Sequence, residues 1–416
     1  MKPGGDSLEG GPEIGLRMQE QRPLKRGVFS RPPVRGLYLR QCRMESEPVC
    51  IPIAGQFVNV NQPCTMKGWH TYYQKRVFMY TFEKSLVITR PQQEVFDFVT
   101  NPANHTQWQR TTLCSDMIKE VEFPSEGATL RGLLFLPESQ TRRLPLVIMA
   151  HGTSATVTMV ADKYAEAFSR AGMAVLLYDH RNFGRSEGEP RQEINPWIQC
   201  RGYRDAIKFA EKLNGVDPER IALWGDSYTG GQVIVVGAIE PHVKVIVSQV
   251  PVFGAEPSEV DPNTANFEQI KETLLQGDVS GSPETTTGPM PVVSSDQAGT
   301  PSLLKPIQAF RWFIDYGGRA GTRWNNRVTR VLPATPAPFH PMLCAPFVKA
   351  PTLLMVAPDD EMAHANYTVT RQAYELIPGL KQWYDIAGGH FGLLYYPGEL
   401  FDEASRVQTE FLKKWL

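Results

Sequence analysis

Three residues far apart in this 416-residue chain have the types that nucleophilic acyl chemistry needs. Ser227 lies in "IALWGDSYTGG", where the apolar run Ile221 to Trp224 meets Gly225-Asp226 and two glycines follow at 230 and 231. A serine on a sharp turn from a strand into a helix presents its hydroxyl above the sheet, as in the nucleophile elbow G-x-S-x-G. Thr229 stands at the fifth position of that motif, where glycine is common, and Gly230 and Gly231 next to it offer room for the helix to pass. A serine hydroxyl needs a base, and the base needs a carboxylate that holds its tautomer and stabilises its cation. "TLLMVAPDDEM" ends an apolar strand on Asp359 and Asp360, and "YDIAGGHFGLLY" places His390 in a glycine-bearing loop after another strand. His364 follows the two aspartates too soon to belong to a separate strand-end loop. The pattern predicts Ser227 as nucleophile and His390 as base, with the acid at Asp359 or Asp360.

Charge that develops on a substrate carbonyl oxygen needs two N–H donors aimed at it. The N–H of Tyr228, directly after the serine, is one candidate. The other is the N–H of Thr153 in "MAHGTSAT", where an earlier apolar strand ends. His151 in that loop, and His180 and Arg181 in "YDHRNFGRSEG", read as groups that fix the chain rather than touch substrate.

The elements that must carry these loops alternate. After residue 117, "IKEVEFPSEGATLRGLLFLP" reads as two antiparallel strands joined at Ser125-Glu126-Gly127. "PLVIMAHG", "AVLLYDHRNFGRS", "IALWG", "VKVIVSQVP" and "APTLLMVAPDD" read as short buried strands. "MVADKYAEAFSRAG", "QCRGYRDAIKFAEKL" and "EASRVQTEFLKKWL" have helical periodicity. Such alternation predicts an α/β fold, a mostly parallel central sheet with helices on both faces. Residues 253 to about 348 interrupt it. They hold the loop-like run "GSPETTTGPMPVVSSDQAGTP" and then an apolar helix bearing Phe310, Trp312, Phe313 and Tyr316, and are expected to form a lid. Trp312 and Trp324 are core candidates first, with one or more of them free to face the pocket.

From about 117 to 416 the chain resembles the α/β-hydrolase superfamily, on "HGTS", "YDHRNFGRSEG", "GVDPERIALWGDSYTGG", "APDD" and "GGHFG". The form "DSYTGG" is similar to the elbow of cocaine esterase and prolyl dipeptidyl-peptidase relatives, in which the fifth position need not be glycine. Fungal polyketide acyltransferases of the superfamily are similar over the same region. The resemblance implies the acid at Asp360, with Asp359 a neighbouring turn residue, and an acyl-enzyme on Ser227. It does not carry a substrate, because the relatives include esterases, thioesterases, peptidases and acyltransferases.

Residues 1–75, rich in Gly, Pro and Arg, show neither helical nor strand periodicity and read as a disordered extension. Residues 82 to 109, within a segment 76–116, resemble the opening strand and helix of the START-like polyketide cyclase family, too short a piece to enclose that family's cavity.

Lys+Arg 43 against Asp+Glu 44, a net charge of −1, argues against nucleic acid or an anionic membrane as the main partner. The six cysteines are scattered, without C-x-x-C pairs, so neither a zinc site nor a disulfide framework is expected. No apolar run approaches the about 20 residues of a membrane span. The expectation is a cytoplasmic enzyme acting on a small acyl substrate, with no metal and no organic cofactor. A hydrolase cleaving an ester or thioester is the leading reading. An acyltransferase with the same three residues is the alternative, and an inactive binding protein on the same scaffold is a further one. Haloalkane dehalogenase chemistry is disfavoured, because it needs a carboxylate where Ser227 stands.

Overall fold

The computed structural model describes residues 117–137, 143–256 and 262–416 and, before them, the backbone of five short strands. Those strands are β1 (Arg17–Met18), β2 (Cys50–Ile53), β3 (Gln56–Asn59), β4 (Cys64–Lys67) and β5 (Ser85–Ile88). They pair antiparallel in the order β1-β5-β4-β3-β2, within a contact unit of its own, Met1–Leu113. Runs of four residues or fewer leave no periodicity to read in sequence. The rest of what was expected for 1–75 and 76–116 lies outside the described residues.

The second unit, Cys114–Leu416, is built on an eight-stranded sheet. Its strands are β6 (Met117–Ser125), β7 (Ala128–Leu136), β8 (Leu144–Ala150), β9 (Ala174–Tyr178), β11 (Val216–Asp226), β12 (Val243–Gln249), β15 (Thr352–Val356) and β16 (Lys381–Asp385). The order is β16-β15-β12-β11-β8-β9-β7-β6, parallel from β16 to β9. The hairpin β6–β7 adds the antiparallel edge that its sequence predicts.

Parallel sheets need cover on both faces, and here strand alternation divides the apolar residues into two cores. Leu146, Ile148, Leu176, Ile221, Leu223, Ile246 and Leu354 point to one face. Val147, Met149, Val175, Leu177, Trp224, Val247 and Met355 point to the other. The first core is closed by α2 (Pro196–Ala210) and α3 (Tyr228–Ile239), with α4 (Thr264–Gln276), α6 (Pro341–Cys344) and α7 (Tyr367–Leu376) around them. The second is closed by α1 (Ala161–Arg170), α5 (Ile307–Gly317) and α9 (Glu399–Trp415). Helix α2 starts where Asn195 Oδ1 accepts the N–H groups of Trp197 and Ile198, with Pro196 in the first turn. Helix α3 is apolar all round and almost wholly buried, because it packs between the sheet and α2, α6 and a 3-10 turn at Ala345–Phe347.

The segment expected to form a lid holds more than a loop and one helix. "PETTTGPM" within the loop-like run is strand β13 (Pro283–Met290), antiparallel to β14 (Val328–Pro333). The two-residue β10 (Glu193–Ile194) pairs with the far side of β14 and completes a small second sheet. Strand β13 carries threonines on an exposed edge, so it has no apolar alternation to betray it. Among the described residues no helix is long and apolar enough to cross a membrane.

Candidate active site

Strand β11 delivers Ser227 to the carboxyl edge of the sheet, and α3 begins with the next residue. Ser227 takes φ 53 and ψ −119, a backbone that side chains rarely adopt and that marks a strained turn. The turn is this tight because the helix crosses directly above the strand. A Cβ on Gly225 would lie 2.4 Å from the carbonyl oxygen of Thr229, so only glycine fits there. Thr229, which departs from the motif, is buried. Its hydroxyl accepts the Asp226 N–H at 3.0 Å and shares its one proton between the Ala150 and Asp226 carbonyls at 3.0 and 2.8 Å. Threonine at this position thus bonds the end of β8 to the turn itself.

His390 opens from a short helix, α8 (Gly389–Gly392), in the loop after β16. Its Nε2 lies 2.9 Å from Ser227 Oγ and its Nδ1 2.7 Å from Asp360 Oδ2. The imidazole and the carboxylate are both almost completely buried. The neighbours of Asp360 hold the loop that carries the histidine. Asp359 Oδ1 accepts the Gly389 N–H at 3.1 Å, and Glu361 Oε2 accepts the His390 N–H at 2.8 Å. Asp360 Oδ1 also accepts the Met362 N–H at 2.8 Å, which fixes the carboxylate plane. Three consecutive acids therefore grip one loop, each with a different task. Sequence reasoning missed Glu361, whose only signal was its place after the two aspartates.

The strand-end loop after β8 comes beside the serine. Thr153 and Ser154 have φ 23 and 53, so the loop turns back sharply toward Ser227. Asp226 Oδ1 accepts the Gly152 N–H at 2.8 Å. A Cβ on Gly152 would stand 2.7 Å from that of Ser227 and 2.5 Å from the Asp226 carbonyl oxygen. Among the described residues, no acceptor takes the N–H of Thr153 or of Tyr228, and both residues line the cavity that Ser227 faces.

His151 fixes this loop and is not a second base at the cavity. A carbonyl only accepts, so the contact of His151 Nε2 with the Met159 oxygen at 2.8 Å places a proton on Nε2. Its Nδ1 then faces Asp226 Oδ2 at 2.9 Å. Burial disfavours the charged ring, but the Asp226 carboxylate outweighs it and raises the His151 pKa. His180 is buried between the rings of Tyr178 and Tyr203, with neither ring nitrogen hydrogen-bonded, and burial pushes its pKa down to about 3. Arg181 bonds Asn182 Oδ1 at 3.0 Å. None of the three reaches Ser227. His364 lines the cavity without bonding Ser227 or His390.

The cavity encloses about 230 Å³. Leu303, Leu304, Arg330, Leu332 and Phe339 from the inserted segment form much of its wall, with Val252, Phe253 and Met362. Trp312 lines a smaller void beside Ser227 and His390, its indole N–H donated to the Leu394 carbonyl at 2.9 Å. Trp324 donates to Ser154 Oγ at 3.3 Å and packs on Gly317. A larger hollow of about 520 Å³ at the β6–β7 edge shares no residue with this cavity, and its Arg131 and Arg185 are paired with Glu187 and Glu120.

A family model described as serine aminopeptidase, S33, matches residues 142–283, the stretch from β8 through the elbow. The α/β hydrolase GrgF from a Penicillium species superposes with a TM-score of 0.54 at 21% identity, over 72% of this chain and 98% of that one. The chain has the α/β-hydrolase fold. It is 39% identical over 176 residues to thiohydrolase aneE of Aspergillus aculeatus, a match that spans 41% of this chain and 54% of that protein. It is 26% identical over 308 residues to polyketide transferase af380 of Aspergillus fumigatus, across 72% of this chain and 98% of the other. The α/β-hydrolase sheet thus comes with relatives that hydrolyse and relatives that transfer.

Proposed function

We propose that this α/β-hydrolase cleaves a carboxylic ester or thioester of a small molecule through an acyl-enzyme on Ser227. His390 Nε2 removes the hydroxyl proton as Oγ attacks the carbonyl carbon, and the same proton passes to the departing alcohol or thiol. Water then attacks the acyl-enzyme with His390 again as base, which releases the acid and restores the serine. Asp360 keeps the Nδ1 proton in place and stabilises the imidazolium. The N–H groups of Tyr228 and Thr153, free of other acceptors among the described residues, receive the oxyanion. No metal or organic cofactor enters this scheme. The observation that carries it is a single imidazole bonded to the hydroxyl on one side and the carboxylate on the other, at 2.9 and 2.7 Å.

The test is covalent labelling with a fluorophosphonate probe, followed by a panel of esters and thioesters of increasing chain length. Labelling at Ser227 is expected, and Ser227→Ala is expected to lose it together with all but about 10³-fold of the acceleration over water. A Ser227→Ala protein that turns over every substrate like the wild type ends the proposal.

A second reading keeps the acyl-enzyme and replaces water by an alcohol or amine. The inserted segment that walls the cavity, and the likeness to a polyketide transferase over nearly its whole length, favour it. Supplying ester and acceptor alcohol together, and measuring transfer against hydrolysis, separates the two.

A further inference from the structure

Arg330 is the one cation on the wall of an otherwise largely apolar cavity, and its guanidinium makes no hydrogen bond or ion pair with any described residue. Two other half-buried arginines of the unit are matched by carboxylates, Arg201 by Glu126 and Arg204 by Glu240. Position 330 is also held firmly. It lies in the middle of β14, which pairs with Ile194 on one side and Thr287 on the other. Strand alternation puts Arg330 and Leu332 on the same face, and both line the cavity with Ser227. The guanidinium carbon is 5.9 Å from the centre of the Tyr228 ring, the side chain next to the nucleophile. The two histidines of the wall leave the positive charge to Arg330. His340 and His364 both line the cavity, and burial lowers the pKa of each, His364 also through the Arg330 charge. No Asp or Glu is among the lining residues.

A half-buried cation without a counter-ion loses hydration for no return, unless the return comes from a ligand. A planar guanidinium facing an apolar space is matched to a carboxylate or phosphate, which it binds through two parallel N–H donors. We propose that Arg330 is the recognition group for an anion carried by the acyl substrate. The preferred substrate is therefore an apolar acyl ester or thioester with a carboxylate or phosphate removed from the reacting carbonyl. This rests on the hydrolase reading for the chemistry but not for the binding. The anion has two sources, a carboxylate at the far end of the acyl chain or a phosphate on a pantetheine-type thiol leaving group.

The experiment measures binding of uncleavable pairs that differ only in the anion, by calorimetry on the full chain. One pair is octanamide and its 8-carboxylate analogue; the other is pantetheine and 4′-phosphopantetheine. Wild type is expected to bind the charged member of one pair at least 10-fold more tightly, and the responsive pair identifies the source. Arg330→Gln is expected to bring that ratio close to one, and Arg330→Lys to leave it in between, since a point charge keeps attraction without the bidentate fork. Fluorophosphonate labelling of each variant reports whether Ser227 and its loop remain assembled. Equal binding of both members in both pairs by wild type overturns the proposal, as does a ratio unchanged in Arg330→Gln. Loss of labelling with the ratio intact would count against the acyl-enzyme and leave Arg330 in its role.

Discussion

Replacing Thr229 by valine tests whether this elbow depends on the hydroxyl that sets it apart from the glycine form of the motif. Valine keeps the branched shape and removes the oxygen. The buried Asp226 N–H, which donates to Thr229 Oγ1 at 3.0 Å, then loses that acceptor. The two carbonyls lose less, since the Ala150 oxygen still accepts from Tyr203 Oη at 3.3 Å. Removing one partner of a buried hydrogen bond costs about 1–3 kcal/mol. In a unit of this size that lowers the melting temperature by roughly 2–4 °C for each kcal/mol. Activity falls as well, because the lost hydroxyl tied the strand leading to Thr153 to the turn that holds Ser227. Misplacement of reacting groups by about 1 Å costs on the order of 10²-fold in rate. Urea unfolding gives the stability change, and the rate of fluorophosphonate labelling reports the elbow. Thr229→Ser, which keeps the oxygen, is the control expected near wild type. Thr229→Gly, the residue the motif more often carries, is expected to be destabilised like Thr229→Val. If Thr229→Val matches Thr229→Ser in both assays, the hydroxyl is not what holds this turn and the reasoning fails.

Gly152→Ala pushes a methyl group against Ser227 Cβ and the Asp226 carbonyl, so labelling of Ser227 should slow far more than the urea midpoint shifts; unaffected labelling would show that the loop yields freely. His180 is held neutral, with a pKa of about 3 in the folded chain against about 6.5 when unfolded. The unfolded chain therefore gains the proton first, and stability present above pH 6.5 is lost as the pH falls toward 3. Between pH 7 and pH 5 that loss is about 2 kcal/mol from this residue. His180→Phe, which suits a site between two tyrosine rings, should flatten the pH dependence of unfolding over that interval, and parallel curves for the two proteins would refute it. Asp360→Asn leaves the His390 contact in place but removes its charge, so turnover of the best ester in the panel should fall by about 10⁴-fold, as measured by initial rates. A fall under 10-fold would move the acid elsewhere.

Much of the α/β unit was legible because buried parallel strands are short apolar runs, and those runs end in loops carrying glycine. "LPLVIMA", "AVLLY" and "TLLMV" are strands β8, β9 and β15 with little ambiguity, and the hairpin at Glu126-Gly127 fell where its turn residues stand. The small sheet in the inserted segment was not legible. Strand β13 is polar and exposed, and β10 is only two residues long, so neither carries a pattern. The same limit hid Glu361 and Arg330, whose neighbours in sequence give no hint of what they approach in space.

The chain alone determined which residue types stand at the ends of buried strands, because burial demands apolar runs and sharp turns demand small or polar residues. It thereby supplied Ser227, the pair Asp359 and Asp360, and His390 as separate candidates. Only the tertiary structure decided that one imidazole spans from Asp360 to Ser227, that Asp226 and His151 pin the neighbouring loop, and that a guanidinium unpaired among the described residues faces the same cavity. The reason is physical. Hydrogen bonds and charges act over a few ångströms, and residues 163 positions apart in the chain, as Ser227 and His390 are, meet only after the sheet and its two cores have formed.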